Sequence, residues 1–352
     1  MREDRGRFAA LHDSRVLVYW PHGLGDFATL SVIAPLFEPS NAYAIARFGD
    51  DYTSLMDGDR IFKPLCSGVF KPTDGSFLGT RNLGLDIKRC DGREVELRCP
   101  HTLESEIAGF APDSLLWTDY PETEGRTAYP LHTKARNLAG LLVKRERLSG
   151  FDLSQPLRST LDFTAPAAAQ AKLDAQLAAF APPGTKLAIL SRTGFTAARK
   201  NWGDESEARA FVETMRGDGW RFISMDDEPL GDNVAGFRAL FADLDEPFAL
   251  LYKALAARAS LFVGVPAGPL HVTMVRLGIP TVGLWLAHHP DWYDEPNPDA
   301  IHLVGRLVRD KGFDKRPATV TKPPSLQHRL VYLDSLEISP GAVMEAVRAV
   351  GA

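Results

Sequence analysis

Residues 261–285, LFVGVPAGPLHVTMVRLGIPTVGLW, constrain this chain more than any other stretch. The apolar run 261–263 has strand character, 264–269 is a Gly/Pro loop, and 270–277 has helical spacing until Gly278 and Pro280 stop it. A second strand follows at 281–285. Strand, glycine loop, helix and strand make a βαβ unit. The helix start offers N–H groups and a partial positive charge to an anion, so Gly268, Pro269, Leu270 and His271 are candidate phosphate-site residues. The same pattern also accommodates a Gly268 that only makes a tight turn and a His271 that is an ordinary helix residue.

A second unit of this kind lies near the N-terminus. Residues 15–20 read as a strand, 21–26 (PHGLGD) as a glycine loop, and Phe27, Leu30, Ile33, Ala34 and Phe37 recur at helical spacing. Gly23, Gly25 and Ala28 satisfy a dinucleotide-binding pattern, with Asp50 or Asp51 beyond the next apolar stretch, so an NAD-dependent dehydrogenase is one reading. Asp26 opposes it, because a carboxylate at a pyrophosphate seat repels the phosphates. Asp26 either caps the helix or is presented as an acid.

Two such units fit the length, since 352 residues exceed what one hydrophobic core usually serves. With 45% hydrophobic and 24% charged residues, the chain is of ordinary globular type. A net charge of −5 argues against a nucleic-acid partner, which needs a broad cationic face. Cys66, Cys90 and Cys99 lack metal-ligand spacing and suit a reducing compartment. No secretory signal or long apolar run is present, and the expected location is cytoplasmic.

Between these units, apolar fragments at 61–65, 95–97 and 114–117 read as strands. Residues 132–148 read as a helix with basic residues outside its apolar side, either a solvated surface or a contact for an anionic membrane or acceptor. A linker with several prolines surrounds an alanine-rich helix at 167–180 and sets a boundary near Pro166. Then follow a strand at 187–191, a polar turn with Arg192 and Thr193, Lys200 and Trp202 before a helix at 205–215, and a strand at 221–225 ending in Asp226, Asp227 and Glu228. His288, His289, Asp291, Asp294 and Glu295 contain metal-ligand types without metal-site spacing, so no metal site is expected. The basic run Arg306, Arg309, Lys311, Lys315 and Arg316 reads as a solvated loop, and residues 340–350 as a helix.

The chain resembles glycosyltransferase family 9, the ADP-heptose:lipopolysaccharide heptosyltransferases and their relatives. That family carries a segment like V-G-N-D-S-G-P-M-H-L-A-A-A-L-G-x-P-T-V-A-L-F, with which Val263, Gly264, Gly268, Pro269, His271, Leu277, Gly278, Pro280, Thr281 and Val282 are in register. Gly25, Asp26 and Pro35 match its first loop and helix, and Lys200-x-Trp202 matches its K-x-W-P, with Gly203 in place of the proline. Pro266 and Ala267 depart from the pattern, standing where the family has Asp and Ser.

The resemblance implies an α/β GT-B fold: two doubly wound Rossmann-like domains facing a central cleft. Residues 1–165 would bind the acceptor, 166–338 the nucleotide sugar, and 339–352 would form a helix packing back on the first domain. It implies an inverting, metal-independent transfer of a heptose-like sugar from a nucleotide diphosphate sugar, ADP-heptose in the named relatives, to a hydroxyl of a glycan or lipid-linked acceptor such as lipopolysaccharide core, with peripheral contact at the inner membrane face. No cofactor is implied. Asp26 would be the base, with His22, Gly23 and Gly25 on the acceptor side; Arg192 and Thr193 would help bind the donor nucleotide, Lys200 and the 268–271 loop would hold its phosphates, and Asp227 or Glu228 its ribose. Because of Pro266, a sugar-nucleotide-binding protein without transferase activity and a GT-B sugar-nucleotide epimerase stay open beside it.

Overall fold

The computed structural model describes residues 15–20, 42–47, 62–64, 114–117, 164–194, 200–246, 248–274, 279–287, 290, 297, 299–312 and 329–350. The chain divides into two compact units, residues 1–162 with 317–323, and residues 163–316 with 324–352.

In the first unit, β1 (Arg15–Trp20), β2 (Ala42–Arg47), β3 (Phe62–Pro64) and β4 (Ser114–Trp117) form a parallel sheet in the order β3-β2-β1-β4. These strands fall on the apolar runs read from the sequence. The expected helix at 27–37, strand at 95–97 and basic helix at 132–148 lie outside the described residues.

The second unit begins with α1 (Ala167–Leu177), which buries Ala169, Leu173 and Leu177. Its other strands and helices are β5 (Lys186–Ser191), α2 (Glu205–Gly217), β6 (Trp220–Ser224), β7 (Val234–Gly236), α3 (Phe237–Leu240), α4 (Phe248–Ala256), β8 (Leu261–Gly264), α5 (Gly268–Val272), β9 (Thr281–Trp285), β10 (Ala300–Val304), α6 (Arg306–Gly312), β11 (Arg329–Tyr332) and α7 (Pro340–Val350). The sheet is parallel, in the order β11-β10-β9-β8-β5-β6-β7. Strands covered on both faces read as continuous apolar runs, and β8, β9 and β10 are buried along their whole length. The strand order reverses between β5 and β8, and a ligand crevice in such a sheet forms outside the carboxyl ends of the two strands at that reversal.

Helix α2 starts at a capping box that the sequence D-x-x-E encodes. The Glu207 N–H donates to Asp204 Oδ1 at 2.9 Å, and the Asp204 N–H donates to Glu207 Oε2 at 3.2 Å. Its apolar stripe, Ala208, Phe211, Val212 and Met215, packs into a core that includes Leu190, Trp202, Phe222, Val263, Val282 and Leu303. Trp202 meets Phe211 edge-to-face with centroids 5.5 Å apart, and its indole N–H donates to the Ile338 carbonyl at 2.6 Å.

One expectation needs correction. Residues 306–312 form helix α6, not a loop, because Arg306 and Leu307 face solvent while Val308 is buried. Helix α7 buries Val343, Ala346 and Val347 in the core of the second unit, beside α2, β9 and β10. No helix among the described residues is long and apolar enough to cross a membrane.

Trp202 joins the loop before α2 to the segment before α7. Truncating Trp202 to Ala should lower unfolding stability by about 3–5 kcal/mol, through the cavity and the lost indole bond. Urea titration checks this, and a change below about 1 kcal/mol would contradict the packing described.

Candidate functional site

At the switch point, β5 and β8 end side by side, with Ser191 paired to Gly264. The Val265 N–H continues this pairing by donating to the Ser191 carbonyl at 2.9 Å. A Cβ built on Gly264 would lie 2.7 Å from that carbonyl oxygen and 2.8 Å from the Phe262 ring, so only glycine permits the approach. Loops 192–203 and 265–271 therefore leave the sheet together.

The described residues of the first loop are tied down locally. Arg192, 8% exposed, directs Nε to Glu228 Oε2 at 2.7 Å and Nη2 to Glu228 Oε1. Its Nη1 donates to the carbonyls of Trp202 at 3.2 Å and Gly203 at 2.9 Å. The backbone N–H groups of Arg192 and Thr193 donate to Asp226 Oδ2 at 2.6 and 3.2 Å, and the Thr193 hydroxyl donates to Asp226 Oδ1. The Gly194 N–H donates to Asn201 Oδ1 at 2.9 Å, and the Trp202 N–H to the Arg192 carbonyl at 2.9 Å. At the end of this frame, Lys200 Nζ reaches across to the Pro266 carbonyl at 3.4 Å.

The second loop is fixed from below. The buried hydroxyls of Tyr252 and Thr273 reach the Pro269 carbonyl at 3.0 and 2.8 Å and lie 2.7 Å apart. Burial pushes the Tyr252 phenol well above its ordinary value, so it stays neutral. Leu270 and His271 are buried, and the His271 ring packs edge-on to Trp285 at 6.2 Å. The His271 N–H donates to the Ala267 carbonyl at 3.3 Å, and Pro269 has no N–H. Gly268 and Leu270 are therefore the positions in this turn whose amides an anion can use. The described helix spans Gly268–Val272, and residues 275–278 lie outside the described set.

The structure thus brings Lys200 and the 264–271 loop together, and it brings Arg192, Thr193, Asp226 and Glu228 together as a second group. Asp227, expected near the donor ribose, has a positive φ of 56° and accepts from the Arg238 N–H at 2.7 Å at the start of α3. Glu228, expected there too, is engaged by Arg192. His22, Gly23, Gly25 and Asp26 lie outside the described residues, as do His288, His289, Asp291, Asp294 and Glu295. Among the described residues, no three His, Cys, Asp or Glu side chains gather as a metal site. Asp226 is the residue that the sequence reading missed; its signal was the run of three acids straight after a strand.

No family model matches the sequence, and no curated protein matches it. Solved structures do match. The glycosyl transferase family 9 protein from Veillonella parvula aligns over 97% of this chain and 97% of its own, with TM-score 0.57 and 13% identity. This chain has the fold of that family. The ADP-heptose lps heptosyltransferase II of E. coli aligns over 96% of this chain and 98% of its own, with TM-score 0.56 and 12% identity.

Burial raises the pKa of Asp226 above the usual 3.8, against the opposing hydrogen bonds from Thr193 and the backbone. A raised carboxyl pKa means that the folded chain binds more protons than the unfolded one between 3.8 and the raised value. The cost of burying the charge is thus present above that window and fades as pH falls through it. In Asp226→Asn the cost is absent at every pH, so wild type should gain stability relative to the variant as pH is lowered from about 7 towards about 4. Parallel stability profiles in denaturant titrations would contradict the assignment.

Proposed function

We propose that the protein is an inverting, metal-independent glycosyltransferase that moves a heptose-like sugar from a nucleotide diphosphate sugar to a hydroxyl of a glycan acceptor such as lipopolysaccharide core. The observation that carries this reading is the placement of the Lys200 ammonium beside the 264–271 loop at the sheet's switch point. A cation and backbone amides beside one another suit a diphosphate, whose charge grows as the bond to the sugar breaks. Lys200 and the amides of Gly268 and Leu270 neutralise that leaving group. Asp26, on the sequence resemblance, removes the acceptor proton as the hydroxyl attacks the opposite face of the sugar carbon. His22, Gly23 and Gly25 flank the acceptor. The setting that fits a lipid-linked acceptor is the cytoplasmic side of the inner membrane, with peripheral contact, and ADP-heptose is the first donor to test.

A second reading, nucleotide-sugar binding without transfer, is favoured by Pro266. In place of the family's aspartate it offers only a carbonyl, which Lys200 contacts.

Product analysis with labelled ADP-, UDP-, GDP- and dTDP-sugars, with and without a lipopolysaccharide-core acceptor, tests the proposal. Transfer that requires the acceptor supports it. Binding without any product supports the second reading, and epimerised donor in the absence of acceptor contradicts both.

Asp26→Asn should slow transfer by roughly a hundredfold to ten-thousandfold while leaving donor affinity unchanged, because an amide takes no proton at neutral pH yet caps a helix as well as aspartate does. Turnover close to wild type would return Asp26 to a capping role.

A further inference from the structure

We propose that the acidic turn 226–228 serves the donor site indirectly, as the frame that sets Lys200 against the 264–271 loop, and that Glu228 is a positioning residue acting through Arg192 and not a ligand of the donor ribose. This rests on the donor-site reading given above.

The chain of contacts is continuous. Glu228 takes one edge of the Arg192 guanidinium, accepting from Nε and Nη2. Such a fork fixes the plane of the group as well as its distance, which a lysine ammonium cannot do. With that plane set, Nη1 faces the carbonyls of Trp202 and Gly203 on the opposite side. The Trp202 N–H returns to the Arg192 carbonyl, and the Trp202 ring is anchored in the core. Gly203 adopts a left-handed φ of 59°, which turns the chain into α2. Lys200 stands two residues before Trp202, on the segment these bonds hold, and its Nζ meets the Pro266 carbonyl. Asp226 adds a second clamp on the same loop through Arg192, Thr193 and the Thr193 hydroxyl.

The charges of this frame also match that role. Glu228 offsets the buried Arg192 charge, so the guanidinium is matched before any ligand arrives. Asp227, the remaining acid of the turn, caps α3. The three acids of the turn each have partners within the protein, and among the described residues Lys200 reaches the 264–271 loop.

A double-mutant cycle tests this. Binding of ADP, UDP, GDP and dTDP, and of the nucleosides matching them, is measured by calorimetry on the full chain with Lys200→Ala, Glu228→Gln and the pair, each checked for folding by circular dichroism. The tightest diphosphate is used for the comparison. Lys200→Ala should weaken diphosphate binding about tenfold or more. Glu228→Gln should weaken it about threefold to tenfold while nucleoside affinity stays within about twofold of wild type, and the double variant should bind within about twofold of Lys200→Ala alone. If Glu228→Gln does not fold, Arg192→Lys replaces it with the same expectation, since an ammonium cannot bridge Glu228 and both carbonyls. Losses that multiply in the double variant, or equal losses for diphosphate and nucleoside, would place Glu228 on the ligand and overturn the inference alone. If Lys200→Ala binds all four diphosphates as wild type does, the donor-site reading fails and the inference falls with it.

Discussion

The close approach of β8 to β5 at Gly264 is the constraint on which the rest of the site depends. Because this residue has no Cβ, the two strands stay paired to their last residues, and the Val265 N–H still finds the Ser191 carbonyl. The loops that leave these strand ends are consequently neighbours from their first residue. A side chain at 264 would force the carbonyl of Ser191 or the ring of Phe262 aside, and the distance from Lys200 to Pro266 is set by that same separation. Local covalent geometry thus decides whether two loops far apart in sequence can share a ligand.

Around that point, polar groups are satisfied largely within the protein. Carboxylates of Asp226 and Glu228 hold the backbone and side chain of Arg192, and the hydroxyls of Tyr252 and Thr273 hold the carbonyl of Pro269. Such networks rigidify a site when their members are paired, because an unmatched group in a partly dry environment costs more than the bond contributes. The cost of charge burial falls on Asp226, whose carboxyl is pushed upward, and three hydrogen-bond donors in the 192–193 turn oppose that shift. A frame organised in advance leaves a ligand less to order on binding.

Much of this architecture was legible in the sequence, and the failures follow a pattern. Strands β1, β5, β8 and β9 were readable because each is an apolar run cut off by Gly, Pro or charge. Helix α4, FALLYKALA, has no polar stripe to reveal its period, since its residues from Leu251 to Ala256 are buried on all sides. Strand β7 is three residues long, and strand β10 follows a stretch rich in Pro and Asp that hides its start. The neighbourhood of Lys200 and the 264–271 loop could be foreseen, because both follow strands that the βαβ pattern places side by side. The Arg192–Glu228 pair could not, because partners 36 residues apart leave no periodic trace and either residue alone reads as a ligand contact.

The central claim is that the second unit holds a nucleoside diphosphate at the switch point of its sheet. The most direct measurement is a crystal structure of the full chain with ADP or the tightest-binding nucleoside diphosphate. The account predicts density for the diphosphate within hydrogen-bonding distance of Lys200 Nζ and of the Gly268 and Leu270 amides, with the Arg192–Glu228 fork intact. A diphosphate bound instead at Gly23, Gly25 and Asp26, or one that opens the fork to reach Glu228, would contradict it.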